Sequence, residues 1–584
     1  MRRSISVVDA GLLVLVFLAP LAWAKSVMTV FTLPKFLALN AGLCLAAWGA
    51  ALRPESLAAG ETALDLPLLA GLGVAVLSAA ASSDPSTSLI GRYDSYAFGL
   101  WGLAIAAAAV QLAARSARGR EAERARWLIW SAALAGGYGV LQKCGFDPIF
   151  HIKSLPAGGR AVSTLGSPVD LGAFLAVAWP LSLWGVDIER RPLPAAAAIL
   201  IAGGILASGS RAAALAAGVG AAAYWLMSRR RPRESLLPSL GIALAAVAGA
   251  IAWSFRPHAS VSDVSRLEVW KTSWTALVRN PWLGVGPDGF EDFFRRFRTE
   301  HFVAVMGSQH HQAYPHNDLL QALACLGLLG AAAYAWLLTA LARSARRSLE
   351  AETSRPLAAA LAAGILALWV NLEFNPVAVE VVVFGALVAG FLTSLSSVPA
   401  ETRRLPRSLF LAAGGLTTFG LACALNMARA DAAYMIATRA QGSGDFTAAR
   451  ANFARARELL PCEQTYTLEE VNALGDWINA THDVPGRLAL LALADADGRA
   501  ALACHPRQIN AHYIAGSAAR MHVDLGFKDQ IVIAAREFDA ALEFDPQFGP
   551  LLAARLQVAR MMGDAKLAAE LESRLAPTAR SQSR

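Results

Sequence analysis

Residues 377–397 read VAVEVVVFGALVAGFLTSLSS, a run of 21 residues in which Glu380 is the one charged side chain. A helix of about 20 apolar residues crosses the hydrocarbon core of a bilayer. Twelve further apolar runs lie near 8–24, 30–52, 63–81, 96–114, 126–142, 168–186, 193–208, 211–228, 236–255, 317–341, 356–372 and 407–428. The sequence therefore predicts an all-α fold that begins with a polytopic membrane helix bundle of about 13 spans.

The composition divides the chain into two parts. The 584 residues are 55% hydrophobic and 16% charged with a mean hydropathy of +0.42, whereas soluble domains carry roughly 25% charged residues. Residues 1–428 contain 35 Lys and Arg and 25 Asp and Glu, while the much shorter segment 429–584 contains 17 and 19. These figures exclude a soluble globular protein and predict a membrane domain over 1–428 followed by a soluble domain over 429–584.

The distribution of basic residues predicts the orientation in the membrane. Short loops on one side of the predicted bundle hold 21 Lys and Arg residues, and short loops on the other side hold seven. Basic residues are enriched in cytoplasmic loops. We therefore expect a cytoplasmic N-terminus, with the long loop 256–316 and the whole of 429–584 on the outer face.

The segment 429–584 shows the spacing of tetratricopeptide repeats. One unit holds Gly444-Asp445-Phe446, Ala449, Phe453, Ala456 and Pro461, a second holds Ala534, Phe538, Ala541 and Pro546, and Gly563-Asp564 opens a partial third. Small Ala residues allow paired helices to approach, and Pro ends a helix. The sequence leaves two interpretations open, a docking surface for a periplasmic protein partner and a helical cap that packs on the long loop.

Two further features of this segment invite an interpretation. Cys462 and Cys504 could form a disulfide in an oxidising compartment. Asp495-Ala-Asp497 resembles the metal-binding Asp-x-Asp motif of sugar-nucleotide transferases, but it lies in an Ala-rich helical stretch. We therefore expect these two carboxylates on a solvated helix face and not at a metal.

The exit of the long loop is rich in histidine. The segment His310-His311-Gln-Ala-Tyr-Pro-His316-Asn317 ends where an apolar span begins, so His316 and Asn317 are expected at the mouth of the bundle. A histidine titrates near neutral pH and can take a proton from a hydroxyl. A zinc cluster and a buried structural histidine are the alternatives. No H-E-x-x-H motif or carboxylate pattern supports zinc, so no metal site is predicted.

Arg211 follows Ser208-Gly209-Ser210 in a very short hinge between two apolar runs. One interpretation is an arginine that extends its charge to the bilayer surface. The alternative is a guanidinium that grips a diphosphate in bidentate fashion, because the hinge is too short to lie far from the membrane.

Several motifs together carry a resemblance. The hinge Ser208-Gly-Ser-Arg-Ala-Ala213 resembles that of the O-antigen ligase/polymerase superfamily. Arg266-x3-Trp270 with Asn280-Pro-Trp-Leu-Gly-Val-Gly286 resembles the family's long-loop signature, and His316-Asn317-x-Leu319-x-Gln321 with Gly327-Leu-Leu-Gly330 resembles its loop exit. Gly166-Ser-Pro-Val-Asp170 is similar to its Gly-Asn-Pro-Asn turn, with Ser and Asp in place of the two Asn. The outer-loop segment from Asp84 to Asp94 is similar to one found in members with tetratricopeptide tails.

The resemblance implies a chemistry. Members transfer a glycan from undecaprenyl diphosphate, at the outer face of the bacterial inner membrane, without a metal or other cofactor. By resemblance, Arg211 and Arg266 bind the diphosphate and stabilise the leaving group, and His316 handles the acceptor proton in an inverting displacement. The further substrate-binding candidates are Lys35, Arg92, Arg160, Asn317 and Glu373, of which Glu373 is also a rival base.

The expected partners follow from this chemistry. They are the undecaprenyl diphosphate-linked glycan donor, a lipid or protein acceptor, membrane lipids and a periplasmic protein bound by 429–584, with no nucleic acid. Ligation to lipid A–core is the preferred reaction. The alternatives are O-antigen polymerisation or protein O-glycosylation with the same donor, and, in another class, a membrane exporter or assembly scaffold without catalysis.

Overall fold

The structure is a computed structural model that describes residues 6–57, 60–150, 159–229, 259–396 and 406–581, and all regular elements in these ranges are helical. The membrane body comprises α1 (Val7–Leu21), α2 (Thr32–Leu52), α3 (Asp65–Ala81), α4 (Pro85–Ile90), α5 (Leu100–Ser116), α6 (Glu121–Lys143), α7 (Pro168–Glu189), α8 (Pro192–Ser208), α9 (Arg211–Ser228), α10 (Ala259–Arg279), α11 (Phe290–Phe297), α12 (Glu300–Met306), α13 (Asp318–Glu350), α14 (Arg355–Leu372), α15 (Val379–Ser396) and α16 (Arg407–Gly442). The tail follows with α17 (Phe446–Leu459), α18 (Gln464–Ala480), α19 (Val484–Cys504), α20 (Ile509–Asp524), α21 (Ile531–Phe544), α22 (Gly549–Met562) and α23 (Ala565–Ser581).

A helix occupies each predicted span except 236–255, which lies outside the described residues. Six of the helices are long and apolar enough to cross a membrane, and four shorter helices are also apolar. The chain is therefore a multi-pass membrane protein with an all-α fold, as the sequence predicted. The number thirteen stays a prediction.

Polar contacts mark two opposite ends of the body. At one end Arg120 and Arg124 pair with Asp9, and Ser394 donates to Glu121 Oε1 at 2.8 Å. At the other end, described residues of the predicted outer loops contact the long loop and the tail: Arg92 lies 3.2 Å from Glu291, and Thr29 donates its N–H to Asp431.

The long loop is mostly helical, since α10, α11 and α12 lie within 259–306. Its segment 281–286 packs against a break inside α13, where Gly327 adopts φ 66° and ψ −164°. Val285 and Gly286 donate their N–H groups to the carbonyls of Ala324 and Cys325, at 2.9 and 3.0 Å. In return, the N–H groups of residues 328 and 329 donate to the carbonyls of residues 281 and 282. The loop therefore satisfies the backbone groups that the broken helix leaves open.

The tail is a series of helices in which each packs on the next, as in repeat proteins. The residues that matched the tetratricopeptide spacing form its core: Ala449, Phe453, Ala456, Ala534, Phe538 and Ala541 are all buried. The predicted boundary between 428 and 429 lies inside α16, which runs without interruption from Arg407 to Gly442. The last helix of the body therefore continues as the first helix of the tail.

Ion pairs and a disulfide connect the tail helices. Cys462 and Cys504 are bonded, which links the start of α18 to the end of α19. The expectation of a solvated Asp495-Ala-Asp497 face is wrong for Asp497, which is 1% exposed and pairs with Arg450 and Arg457 at 2.7 and 2.6 Å. The helix α19 turns this carboxylate toward α17, where two arginines can neutralise it.

The tail rests on the body through polar contacts. Thr29 donates its N–H and Oγ1 groups to Asp431 Oδ2 at 2.9 and 3.0 Å. In the long loop, Arg298 Nη2 lies 2.7 Å from Asp545 Oδ1 of the tail, and both side chains are almost fully enclosed. These contacts place the long loop and the tail on the same side of the body.

Candidate functional site

The hinge between α8 and α9 brings two guanidinium groups together. Ser210 caps α9 by accepting the N–H of Ala213, which sets Arg211 as the first residue of the helix. Arg160 lies in the loop between α6 and α7, and its Nε donates to the carbonyl of Ser208 in the hinge at 2.8 Å. Burial, and then the positive charge of Arg211, lower the pKa of Arg160. Two cations beside a helix N-terminus form a site suited to an anion.

His316 lies at the exit of the long loop in an uncommon backbone conformation, with φ 57°. Its Nε2 lies 3.0 Å from Gln312 Oε1. With that oxygen as the acceptor, Nε2 carries the proton and Nδ1 carries the lone pair. Nδ1 is enclosed and has no hydrogen-bond partner among the residues that the structure describes. Residues other than glycine that are held in this backbone conformation cluster at functional sites.

Arg266 lies close to His316. Burial, and then the positive charge of Arg266, lower the pKa of His316 to about 4. The indole Nε1 of Trp270, one turn further along α10, donates to the carbonyl of Pro315 at 3.1 Å. This bond fixes α10 beside the loop exit and explains why Arg266 and Trp270 occur four residues apart. His316 is therefore neutral at pH 7 and remains near a permanent cation.

Asn317 joins the loop exit to the end of α14. Its Oδ1 accepts the N–H of Leu320 and so caps α13, and its Nδ2 donates to Glu373 Oε2 at 2.6 Å. The other carboxylate oxygen of Glu373 is enclosed and accepts no hydrogen bond from any described part of the chain. Burial, and then the negative charge of Asp318, raise the pKa of Glu373. The two candidate bases, His316 and Glu373, are thus connected through Asn317.

Helix packing places Arg211 at the same end of the bundle as Glu373. The helices α9 and α14 run antiparallel and touch at Gly220, where a Cβ would lie 3.1 Å from the Cβ of Ala367. From this contact, Arg211 lies nine residues back and Glu373 six residues forward. At 1.5 Å per residue these offsets correspond to about 14 Å and about 9 Å toward the same end of the bundle. The cationic hinge and the loop exit therefore share one end of the body.

Two further predicted site residues already have carboxylate partners in the structure. Lys35 is fully enclosed on α2, where its Nζ donates to the carbonyl of Phe31 and lies 3.6 Å from Glu380 Oε1. Arg92 pairs with Glu291 of α11 at 3.2 Å. Carboxylates of this chain therefore already balance both cations. The structure brings together Arg160 with Arg211, Arg266 with His316, and Asn317 with Glu373.

Sequence reasoning missed two residues that position the site. Gln312 orients His316, and the Ser208 carbonyl holds Arg160. Both lie inside segments that the sequence analysis singled out. Their roles depend on the path of an irregular backbone, however, and no periodic pattern encodes that path.

Metal ligands do not cluster in the part of the chain that the structure describes. No group of three or more His, Cys, Asp or Glu side chains there could hold a metal ion. The site has instead arginines, a histidine and a carboxylate, which are groups for binding anions and for moving protons.

Comparisons with known proteins match the part of the chain that carries most of this site. Residues 196–335 match the family model described as O-antigen ligase. No curated protein matches the chain. Among solved structures, "MamA 41-end from Desulfovibrio magneticus RS-1" is 17% identical and "MamA RS-1 ArsTM double mutant" is 18% identical. Each match covers 30% of this chain and 86% of the other, with a TM-score of 0.22, which is too low to establish a shared fold.

Proposed function

We propose that this chain, which belongs to the O-antigen ligase superfamily, moves a glycan from undecaprenyl diphosphate to an acceptor hydroxyl at the outer face of the bacterial inner membrane. The reaction is an inverting displacement that needs no metal. The observation that carries the proposal is the arrangement at one end of the body, which holds both the cationic hinge of Arg160 and Arg211 and the base candidates at the loop exit.

The hinge is the proposed site of the diphosphate. Arg160 and Arg211 offer planar N–H donors in the geometry that phosphate oxygens accept, and the N-terminus of α9 adds its dipole. When the bond to the anomeric carbon breaks, negative charge develops on the diphosphate. Fixed cations that already face this charge stabilise the transition state more than the ground state.

The Nδ1 atom of His316 is the proposed base. It carries a lone pair, and the depressed pKa keeps the ring unprotonated at neutral pH. The acceptor hydroxyl gives its proton to this nitrogen while its oxygen attacks the anomeric carbon. Since Nδ1 is enclosed in this state, the surrounding loop has to move before an acceptor reaches it. Glu373 is the rival base, because it also has an enclosed oxygen to which no described residue donates a hydrogen bond.

The long loop offers a place for the lipid part of the donor. A groove of about 790 Å³ lies beside α10 and is lined by Leu267, Trp270, Trp274 and Leu320, among others. Leu267, Trp274 and Val278 on α10 are 56–65% exposed. Exposed apolar side chains on a helix next to the bundle suit contact with membrane lipid and with the polyprenyl chain.

Lipid A–core is the preferred acceptor, and polymerisation of repeat units or O-glycosylation of a protein are the alternatives with the same donor. An exporter or scaffold would share the spans and the repeats. It would not require the paired arginines or a histidine with an open lone pair.

Release of undecaprenyl diphosphate from a purified lipid-linked glycan tests the proposal. The full chain is reconstituted in liposomes with donor and acceptor, and both the released carrier and the glycosylated product are measured. His316→Ala is expected to slow transfer by about 10²–10⁴-fold with little change in donor binding. The control is His482→Ala, an exposed histidine of the tail. Carrier release that is equal in His316→Ala and the wild type, with loss in Glu373→Gln, would reassign the base. A complete absence of release would favour the scaffold.

A further inference from the structure

A second polar cavity lies between the long loop and the tail. It has a volume of about 390 Å³ and is bordered by the ends of α3 and α10, by α11 and by the loop that precedes α20. Four arginines line it: Arg279, Arg295, Arg296 and Arg507. We name it the arginine cavity. Its volume falls in the range of roughly 300–1,000 Å³ that is typical of ligand pockets.

The charge of the arginine cavity is largely uncompensated. Arg295 pairs with Glu291 at 2.7 Å. Arg279, Arg296 and Arg507 are exposed and form no ion pair with any residue that the structure describes. Asp292 is the one carboxylate among the lining residues. Three guanidinium groups are therefore available to an anionic ligand.

Aromatic rings hold two of these guanidinium groups in place. The Arg279 guanidinium lies 4.3 Å from the centre of the Phe297 ring, and that of Arg296 lies 5.5 Å from the same ring. Phe544 of the tail also borders Arg296, at 5.9 Å. Stacking on a ring limits the motion of an arginine and lowers the entropy cost of binding.

The arginine cavity is separate from the proposed donor site. Both border α10, but Arg279 is thirteen residues beyond Arg266, a distance of about 20 Å along the helix. The tail contributes part of the cavity wall, and Gln508 of that wall donates to Asp292 Oδ2 at 3.1 Å. The cavity therefore exists only when the tail is docked on the long loop.

We propose that the arginine cavity binds an anionic saccharide, a sugar that carries a carboxylate or a phosphate, as part of a glycan whose reacting end lies in the transfer site. This inference rests on the proposed function, because glycan transfer brings such ligands to this face. Arginines recognise carboxylate and phosphate in bidentate fashion. Ser83 and Asn280 supply neutral partners for hydroxyl groups, and the phenyl rings can cover the apolar face of a sugar.

Direct binding tests the proposal without catalysis. Purified full-length protein in detergent is titrated calorimetrically with trigalacturonate and, separately, with the neutral trisaccharide maltotriose. We expect saturable binding of trigalacturonate alone. Arg296→Gln and Arg507→Gln should each weaken it by about tenfold or more, the effect of losing one charge-assisted hydrogen bond. Arg499→Gln, an exposed tail arginine outside the cavity, is the control and should leave the affinity unchanged.

Equal binding of the two trisaccharides, or no binding of trigalacturonate, would overturn the proposal. So would an equal loss of affinity in Arg499→Gln, because the effect would then be general electrostatics. A transfer assay with an acidic donor or acceptor identifies the source of the sugar. A higher KM for one substrate in Arg296→Gln supports the proposal and names that substrate as the source, whereas unchanged KM values for both contradict it. If transfer itself is absent while trigalacturonate still binds, the proposed function fails and the cavity assignment stands.

Discussion

Asp545 offers the sharpest test of how the tail is attached. Its Oδ1 accepts Arg298 Nη2 at 2.7 Å, and the two side chains are 0% and 1% exposed. Arg298 also donates to the carbonyls of Ser308 and His310, so one guanidinium connects the loop exit to the tail. Asp545→Asn keeps the shape of the side chain and removes its charge. A buried guanidinium then remains without a counter-ion.

The expected loss is about 3 kcal/mol. Removing one partner of a buried ion pair costs roughly 3–5 kcal/mol. The lower end applies because Arg298 keeps two carbonyl acceptors. Glu572→Gln breaks the pair of Glu572 with Arg560, in which the two side chains are 51% and 62% exposed, and should cost only about 0–1 kcal/mol.

Hydrogen exchange of the full-length protein measures the difference. A loss of 3 kcal/mol raises the local opening equilibrium by about 100-fold, and it should appear in peptides from 299–316 and from α21–α22. Replacing both partners by apolar residues, Arg298→Met with Asp545→Leu, should restore most of the protection, because no unpaired charge remains. If Asp545→Asn changes exchange by less than tenfold, or by no more than Glu572→Gln, the pair does not hold the tail.

Three further predictions concern the site and the break in α13. Since the pKa of His316 is about 4, the base is unprotonated above that value. The acid limb of the pH profile of kcat/KM should therefore lie near pH 4. An acid limb near pH 6.5 would contradict the assignment. Arg160→Lys and Arg211→Lys should each raise the Kd for the donor. If both arginines bind one diphosphate, the loss of binding free energy in the double variant should be smaller than the sum of the two single losses. Additive losses would show that the two arginines do not share one diphosphate. Gly327→Ala should lower the melting temperature, because φ is 66° and a Cβ would lie 2.4 Å from the backbone of the loop. Gly71→Ala, with no atom near its Cβ position, should leave the melting temperature unchanged or raise it.

Local patterns in the sequence were sufficient to predict the helices. Apolar runs of membrane length and the Ala, Phe and Pro spacing of the repeats are properties of short segments, and the structure places helices at those positions wherever it describes them. The continuity of α16 across 428 and 429 was not predicted, because a fall in hydrophobicity does not end a helix when the residues on both sides favour it. The composition therefore predicted where the chain becomes more polar, but it did not show that the same helix continues across that point.

Side-chain partners from distant parts of the chain were harder to predict. Lys35 is balanced by Glu380, which lies 345 residues away, and Asp497 by arginines of another helix. A sequence shows that a charge needs compensation in a low-dielectric interior, but it does not show which group supplies it. His316 and Asn317 were located correctly at the start of a helix because their position depends on the adjacent proline and the following apolar run. The orientation of the imidazole depends on Gln312, and that could be seen only in the structure.

The backbone bonds at the break in α13 restrict how the long loop can move. Four hydrogen bonds join residues 281–286 to residues 324–329, so lifting this part of the loop would expose polar backbone groups among apolar helices. The long loop is thus fixed at residues 281–286. We therefore expect the movement that uncovers Nδ1 to occur in the segment from Ser308 to His316, which takes no part in these four bonds. Arg298 connects this same segment to the tail. The docked repeats therefore restrain the segment that has to move before an acceptor reaches the base.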